Sequence, residues 1–385
     1  MVPPLYPAPL LAVNSLDFLP LCHKIAGGMR EAIKDLELLI AEKGLQGILL
    51  FSPENLFYLT GYRGEEGGLL LEEGRGTLLV DGRYFTQAKE EAEGVEVGLL
   101  KSWARGIAEE LRSRSLKRVG VEAHSLTLRQ YQRLSEEAQG VEFVPIGEEL
   151  EGLRARKGPD EVEAIKEAIA ISERALKEVF SLLKPGVREI EVALELEFRM
   201  RRAGSEGVPF PPIVASGPRA ALPHATPTEK RIGAGEPVIV DFGARHNRYC
   251  SDETRTFLVG RDGGEFEKIY QIVKEAQERA IERIRVGVPL SEVDRAARER
   301  IEAAGFGPHF SHGTGHGVGI AVHEWPTVSS ESSQVAEEGM VITIEPAIYL
   351  PEWGGVRIED MVLITPSGAE ILTTAPKDLT DIILR

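Results

Sequence analysis

The chain has 385 residues, with 61 acidic against 45 basic side chains and a formal net charge of −16. That balance argues against a nucleic-acid or anionic-membrane partner, and no apolar run approaches the ~20 residues that span a bilayer. Cys22 and Cys250 show no disulfide-framework spacing, which fits a reducing cytoplasm.

The length allows two domains, each able to bury a core. Residues 1–28 are proline-rich and mostly uncharged and lack a basic start, so they make a poor signal peptide. They read as an extra arm or as a start codon assigned too early. Arg30 to Lys43 is an amphipathic helix with Ile33, Leu36, Leu39 and Ile40 on one face. GILLF, GGLLL, TLLVD and RVGVE then alternate with helical stretches such as Thr127 to Ala138. This pattern predicts an α/β domain over 29–150 with a largely buried sheet. VEFVPIGEELEGLRARKGP reads as the connector to a second domain, 151–385. Pro159 can open a helix that runs to Leu183 and is ended by Lys184-Pro185-Gly186. A second helix spans Ile190 to Ala203. Gly204 to Gly235 is a long glycine- and proline-rich loop that holds His224, and such loops are usually functional. Helices over Phe266 to Arg285 and Leu290 to Ala304 follow. A glycine-rich histidine segment and the last strands complete an α/β, in part α+β, chain.

Four acids stand at the ends of strand-like runs. VIVDF carries Asp241, and Asp252 precedes the β-branched run TRTFLV. A hairpin symmetric about His246 and Asn247 would set Asp241 opposite Asp252, with Cβ atoms about 4.5–5.5 Å apart; a bulge would shift that register. Paired metal ions in hydrolases sit about 3.5–4 Å apart. VITIEPAIY brings Glu345 and GGVRIEDMVLIT brings Glu359. GEPVIVD and EGMVITIE resemble each other, a faint internal duplication. Arg357, two residues before Glu359, shares its face and can hold it ionised or reach a substrate. In HFSHGTGHGVGIAVHE the glycines let the backbone approach a ligand closely. One of His312 and His316 should bind metal. The other, with His323, would donate hydrogen bonds to the ligands or the substrate.

Taken singly, each feature has an ordinary reading: a solvated cross-strand pair, a surface loop, a plain Arg357–Glu359 salt bridge, and Cys250 as a small packing residue. Together they point elsewhere. Burying four carboxylates uncompensated would cost several kcal/mol per group, and two divalent cations would remove that cost. The residues therefore read as a two-metal hydrolase.

VDFGARHNRYCSDETRTF, HGTGHGVGIAVHE, TIEPAIY and GGVRIEDMVLIT resemble the motifs of the pita-bread metallopeptidases, specifically proline dipeptidases (prolidases) and aminopeptidase P. SPENLFYLTGY resembles a signature of that family's non-catalytic, creatinase-like N-terminal domain, and the resemblance runs from about Met29 onward. It implies two divalent metal ions on Asp241, Asp252, His316, Glu345 and Glu359. Oxygen-rich ligands favour Mn²⁺, and the single imidazole leaves Co²⁺ and Zn²⁺ open. It implies that His224, His312 and His323 support the ligands or the substrate, that Arg357 binds substrate, and hydrolysis of Xaa-Pro bonds, foremost in dipeptides; in such a mechanism Glu345 could shuttle the water's proton while ligating. Aminopeptidase P, acting on longer peptides, has the same ligands. The substantial N-terminal domain fits a methionine aminopeptidase less well. A catalytically silent binding module, or a metal-free creatinase, would have lost ligands that this chain keeps. The resemblance also implies a cytoplasmic homodimer. Asparagine is confined to Asn14, Asn55 and Asn247 while charged residues abound, which suggests a thermophilic source.

Overall fold

The computed structural model describes residues 26–384. Most of the expected arm, 1–28, and Cys22 within it lie outside the described residues. Residues 26–28 belong to the first helix, Ala26–Glu42, which thus starts earlier than Arg30.

Six strands form the first sheet: β1 (Gly47–Leu50), β2 (Gly68–Glu72), β3 (Arg75–Asp81), β4 (Glu96–Leu100), β5 (Arg118–Glu122) and β6 (Glu142–Ile146). Their order is β4-β3-β2-β1-β5-β6. β2 runs antiparallel to β1 and β3, and the other neighbours are parallel. Ile48, Leu69 and Leu78 pack with Leu36 and Leu56 on one face. Leu49, Leu70 and Leu79 pack with Ile107 and Leu134 on the other. Both faces are covered, so the strands read as continuous apolar runs rather than alternating ones. The expected connector is shorter than the sequence suggested, because VEFVPI supplies the edge strand β6. Its Pro145 is tolerated because edge strands can forgo a ladder hydrogen bond.

The second domain states one plan twice. Helices Pro159–Val179 and Glu189–Arg202 precede β7 (Ile213–Ser216), β8 (Glu236–Phe242), β9 (Arg245–His246), β10 (Tyr249–Cys250) and β11 (Glu253–Val259). Helices Glu265–Arg283 and Leu290–Ala303 precede β12 (Gly315–Gly317), β13 (Glu324–Val328), β14 (Val341–Ile344), β15 (Ala347–Leu350), β16 (Gly354–Arg357), β17 (Asp360–Thr365), β18 (Gly368–Ile371) and β19 (Ile383–Leu384). One sheet has the order β19-β11-β8-β7, another β13-β12-β14-β17-β18, and β15 and β16 form a separate hairpin. The two similar sequence segments fall on β8 and β14. A shared apolar core, with Leu196, Val240, Phe257, Tyr270, Ile342 and Val362, joins helices and sheets. The segment 204–235 is not a plain loop: it contains β7 and a 3₁₀ turn, Gly217–Ala221.

The β8–β11 hairpin turns one residue later than symmetry about His246 and Asn247 would place it. Asn247 (φ 46°) and Arg248 (φ 70°) both take positive φ, which a two-residue type I′ turn requires. Asp241 therefore faces Thr254, not Asp252. Asp252 sits on the diagonal, on the same face as Asp241. The tip docks on the first domain: Arg63 Nη1 donates to Asn247 Oδ1 at 3.0 Å, and the Arg248 guanidinium lies 5.6 Å from the Phe57 ring centroid.

Candidate metal centre

Strand ends aim the five predicted ligands at one point. Asp241 is near the end of β8, Asp252 lies between β10 and β11, and His316 is in the middle of β12. Glu345 follows β14, and Glu359 lies between β16 and β17. Ile344 pairs with Asp360, so the same register extended by one residue sets Glu345 against Glu359. The mirrored placement expected of the aspartates belongs to the glutamates. Ligand atoms of Asp241, Asp252 and Glu359, of His316, Glu345 and Glu359, and of Asp252, His316 and His323 each lie within 4.8 Å of one another.

Electrostatics set this pocket apart. Burial raises the carboxyl pKa of Asp241 although the Arg357 guanidinium opposes the shift. Burial, then the neighbouring Glu359, Asp241 and Glu345, push Asp252 well above the usual range. Burial and the like charges of Glu345 and Asp241 do the same to Glu359. Glu345 is pushed up to about 7, mainly by burial. Asp241 Oδ1 is buried without a hydrogen-bond partner. Four acids in one desolvated space cannot all ionise without added positive charge. The donor set of carboxylates and one imidazole fits two divalent cations.

The histidines are arranged for neutral roles. Burial and then His323 depress His316 to about 4. Its Nδ1 lies 3.1 Å from the Gly317 carbonyl, so that nitrogen carries the proton. Nε2 then offers its lone pair 3.4 Å from Glu345 and 3.6 Å from Asp252. His312, also lowered to about 4 by burial, is not in the ligand clusters. Its Nδ1 donates to the Gly313 carbonyl at 2.7 Å, and its Nε2 accepts from the Tyr349 hydroxyl at 3.0 Å.

Arg357 corrects an expectation. Its Nη2 donates to Asp241 at 2.5 Å rather than to Glu359. Nη1 reaches the Tyr349 hydroxyl (2.8 Å) and the Pro223 carbonyl (3.1 Å), and Nε reaches Thr254 Oγ1 (3.0 Å). Glu359 instead accepts from Thr254 Oγ1 at 2.6 Å. Thr254 and Tyr349 were not singled out in the sequence. Thr254 stands two residues past Asp252 and Tyr349 four past Glu345, and only tertiary pairing gives them roles.

A cavity of about 450 Å³ opens over the acids. Phe210, Pro211 and Ile213 make one wall apolar, and His224, His312 and Arg357 line it elsewhere. No helix among the described residues is long and apolar enough to cross a membrane.

A family model described as metallopeptidase family M24 matches residues 163–366, and one described as creatinase/prolidase N-terminal domain matches residues 33–156. An Xaa-Pro dipeptidase from Pyrococcus furiosus is 39% identical over 352 residues, which is 91% of this chain and 100% of that protein. Among solved structures, an Xaa-Pro dipeptidase from Bacillus anthracis superposes with a TM-score of 0.89 and 39% identity, over 92% of this chain and 100% of the other. An X-Pro aminopeptidase from Thermotoga maritima superposes with a TM-score of 0.81 and 36% identity, over 91% of this chain and 99% of the other.

Proposed function

This chain belongs to metallopeptidase family M24, and from that premise we propose that it is an Xaa-Pro dipeptidase whose 151–385 domain is catalytic and whose 29–150 domain is not. Two divalent cations, Mn²⁺ foremost, are held by Asp241, Asp252, His316, Glu345 and Glu359. The observation that supports this most is the convergence of three buried carboxylates and the partly buried Glu345, all with raised pKa, around an imidazole lone pair. When bound, the cations supply charge that polarises the scissile carbonyl and makes a water easier to deprotonate.

The protein's own groups do the rest. Glu345 takes the proton of the attacking water on a carboxylate oxygen and returns it to the leaving nitrogen. That nitrogen is a prolyl tertiary amide with no N–H, so no enzyme group that accepts an N–H is wasted on it. His323 or His224 donates to the oxygen that gains charge. Phe210, Pro211 and Ile213 face the ring. Arg357 carries five N–H donors, and four have partners in the protein. It can therefore give a substrate carboxylate one hydrogen bond, not a bidentate pair. Its main work is at Asp241, where it opposes the rise in pKa that burial imposes.

Activity against Xaa-Pro dipeptides and Xaa-Pro-containing tripeptides, with and without Mn²⁺ or Co²⁺, tests this reading. Metal-dependent dipeptide cleavage is expected. Preference for the tripeptide would move the reading to an Xaa-Pro aminopeptidase, which the similarity to the Thermotoga structure supports. No cleavage by metal-loaded protein would sink both. A cytoplasmic homodimer is proposed on the family resemblance, and analytical ultracentrifugation would check the assembly.

A further inference from the structure

We propose that Arg154, Lys157 and Glu324 form a clamp that positions His323 in the reaction cavity, and that Asn55 and Glu122 anchor this clamp on the N-terminal sheet. The proposal deepens the peptidase reading and rests on it, since it gives His323 a hydrogen bond to the reacting substrate.

His323 is exposed, and its ring meets the His316 ring at a centroid distance of 4.3 Å. Close packing cannot fix an exposed ring, so its backbone must be fixed instead. The next residue does this. The Glu324 side chain is only 3% exposed and is held by two cations of the interdomain connector. Lys157 Nζ donates to Oε1 at 2.8 Å, and Arg154 Nε to Oε2 at 3.3 Å. The same carboxylate accepts from Ala321 N at 3.4 Å, folding back on its own loop. A Cβ on Gly319 would stand 2.2 Å from Glu324 Oε1, so only glycine permits that fold-back.

The Arg154 guanidinium also reaches across to the N-terminal domain. Arg154 Nη1 donates to Asn55 Oδ1, and Asn55 Nδ2 donates to Glu122. Asn55 and Glu122 are 3% and 4% exposed. Glu122 also receives Phe51 N at 2.6 Å, with Ser52 N, Ser52 Oγ and Ser125 Oγ each at 2.8 Å. The relay thus runs from the end of β5, through the first turn of helix Pro53–Thr60, to the residue beside His323. Apolar packing would join two domains at least as well as a buried ionic relay. What the relay adds is a fixed geometry at its far end, where a cavity of about 790 Å³ bordered by Asn55, Glu122 and Arg154 shares His316 and His323 with the reaction cavity.

The test uses full-length protein loaded with Mn²⁺ and the variants Arg154→Gln, Arg154→Lys and Asn55→Ala. Arg154→Gln should lose about a hundredfold in kcat, the scale of a ~1 Å misplacement, with KM little changed and metal content intact. Deuterium uptake by backbone amides of 318–324 should accelerate. Arg154→Lys keeps a cation for Glu324 and should recover most of kcat, and Asn55→Ala should fall between. Wild-type kcat and exchange in Arg154→Gln would overturn the clamp. So would a kcat that falls only with metal content. Should Arg154→Gln fail to fold, Asn55→Ala decides by the same readouts. If the wild type cleaves no Xaa-Pro peptide, the peptidase reading fails while exchange still judges the clamp: unchanged protection of 318–324 in the variants overturns it.

Discussion

Glu359 and Asp360 are neighbours in the chain, are both buried, and meet opposite fates. Glu359 faces the four-acid pocket, and burial with the like charges of Glu345 and Asp241 drives its pKa far up. Asp360 faces the other way. Burial would raise it too, but Arg255 and Lys377 outweigh burial and hold it below the usual carboxylate range. Arg255 Nη2 donates to Asp360 at 2.8 Å, Thr373 Oγ1 donates at 2.8 Å, and Lys377 closes the set. The same two-residue step of backbone therefore borders one pocket that balances its charge and one that does not. A chain able to neutralise a buried acid so completely leaves the adjoining four acids to a single guanidinium. That contrast is the physical case for cations as the missing partners.

The largest effect that would break this comparison is loss of Glu345 as a proton carrier. Glu345→Gln should lower kcat by about 10²–10⁴-fold, the range of general acid–base catalysis, with an unchanged far-UV spectrum. Full activity would remove Glu345 from the mechanism. Metal removal comes next. The stripped protein should lose turnover and become less stable as pH rises, because folded-state carboxyl pKa values raised above their unfolded values favour folding only while the groups are protonated. Urea unfolding at pH 5.5 and 8 should show that slope, and Mn²⁺ at about 100 times its Kd should restore roughly 2.7 kcal/mol for each site it fills. A metal-independent stability would place the positive charge elsewhere.

Within the balanced pocket, Glu253 is the exception. Arg255 Nη2 lies 2.7 Å from its Oε1, yet neither carboxylate oxygen receives an aligned hydrogen bond. Burial pushes this group up to about 8 despite Arg255. Its contribution is present at low pH and is lost as pH rises through about 8. The difference in stability between wild type and Glu253→Gln, both metal-loaded, should change with pH by up to about 1.4 kcal/mol per unit. A flat difference would show that Glu253 stays ionised. The smallest effect lies outside both pockets. Surface networks such as Arg188 with Glu191 and Glu229, and Arg199 with Glu178 and Glu195, support the thermophile proposal. A melting midpoint above the mesophile range of ~45–65 °C is expected by calorimetry.

The four acids were legible because each stands at the end of a recognisable run, whereas His316 was told from His312 only by the family resemblance. Their partners were not. The hairpin register depends on Arg248 taking positive φ, an uncommon choice for a long side chain. Its N–H is held by Glu206 at 2.9 Å and its guanidinium by Phe57, both distant in sequence. Spacing linked Arg357 to Glu359, but a guanidinium is long enough to cross to β8 and take Asp241. β6 lay inside the stretch read as connector; its Pro145 argues against a strand, and only its edge position removes that objection. The clamp was invisible for the same reason as Tyr349: its members lie in four separate segments, and nothing local marks them as partners.

The docked tip of the β8–β11 ribbon has a consequence for how the molecule can be divided. The two aspartates sit at the base of a lever whose far end is gripped by Phe57 and Arg63. Cutting away the first 150 residues would free that end and let the base splay. The front third of the chain is thus a splint for the proposed cation cradle, and because Tyr249, Val318 and Met361 share one buried core with Leu36, Leu56 and Leu69, removing it would loosen the cradle and its packing together.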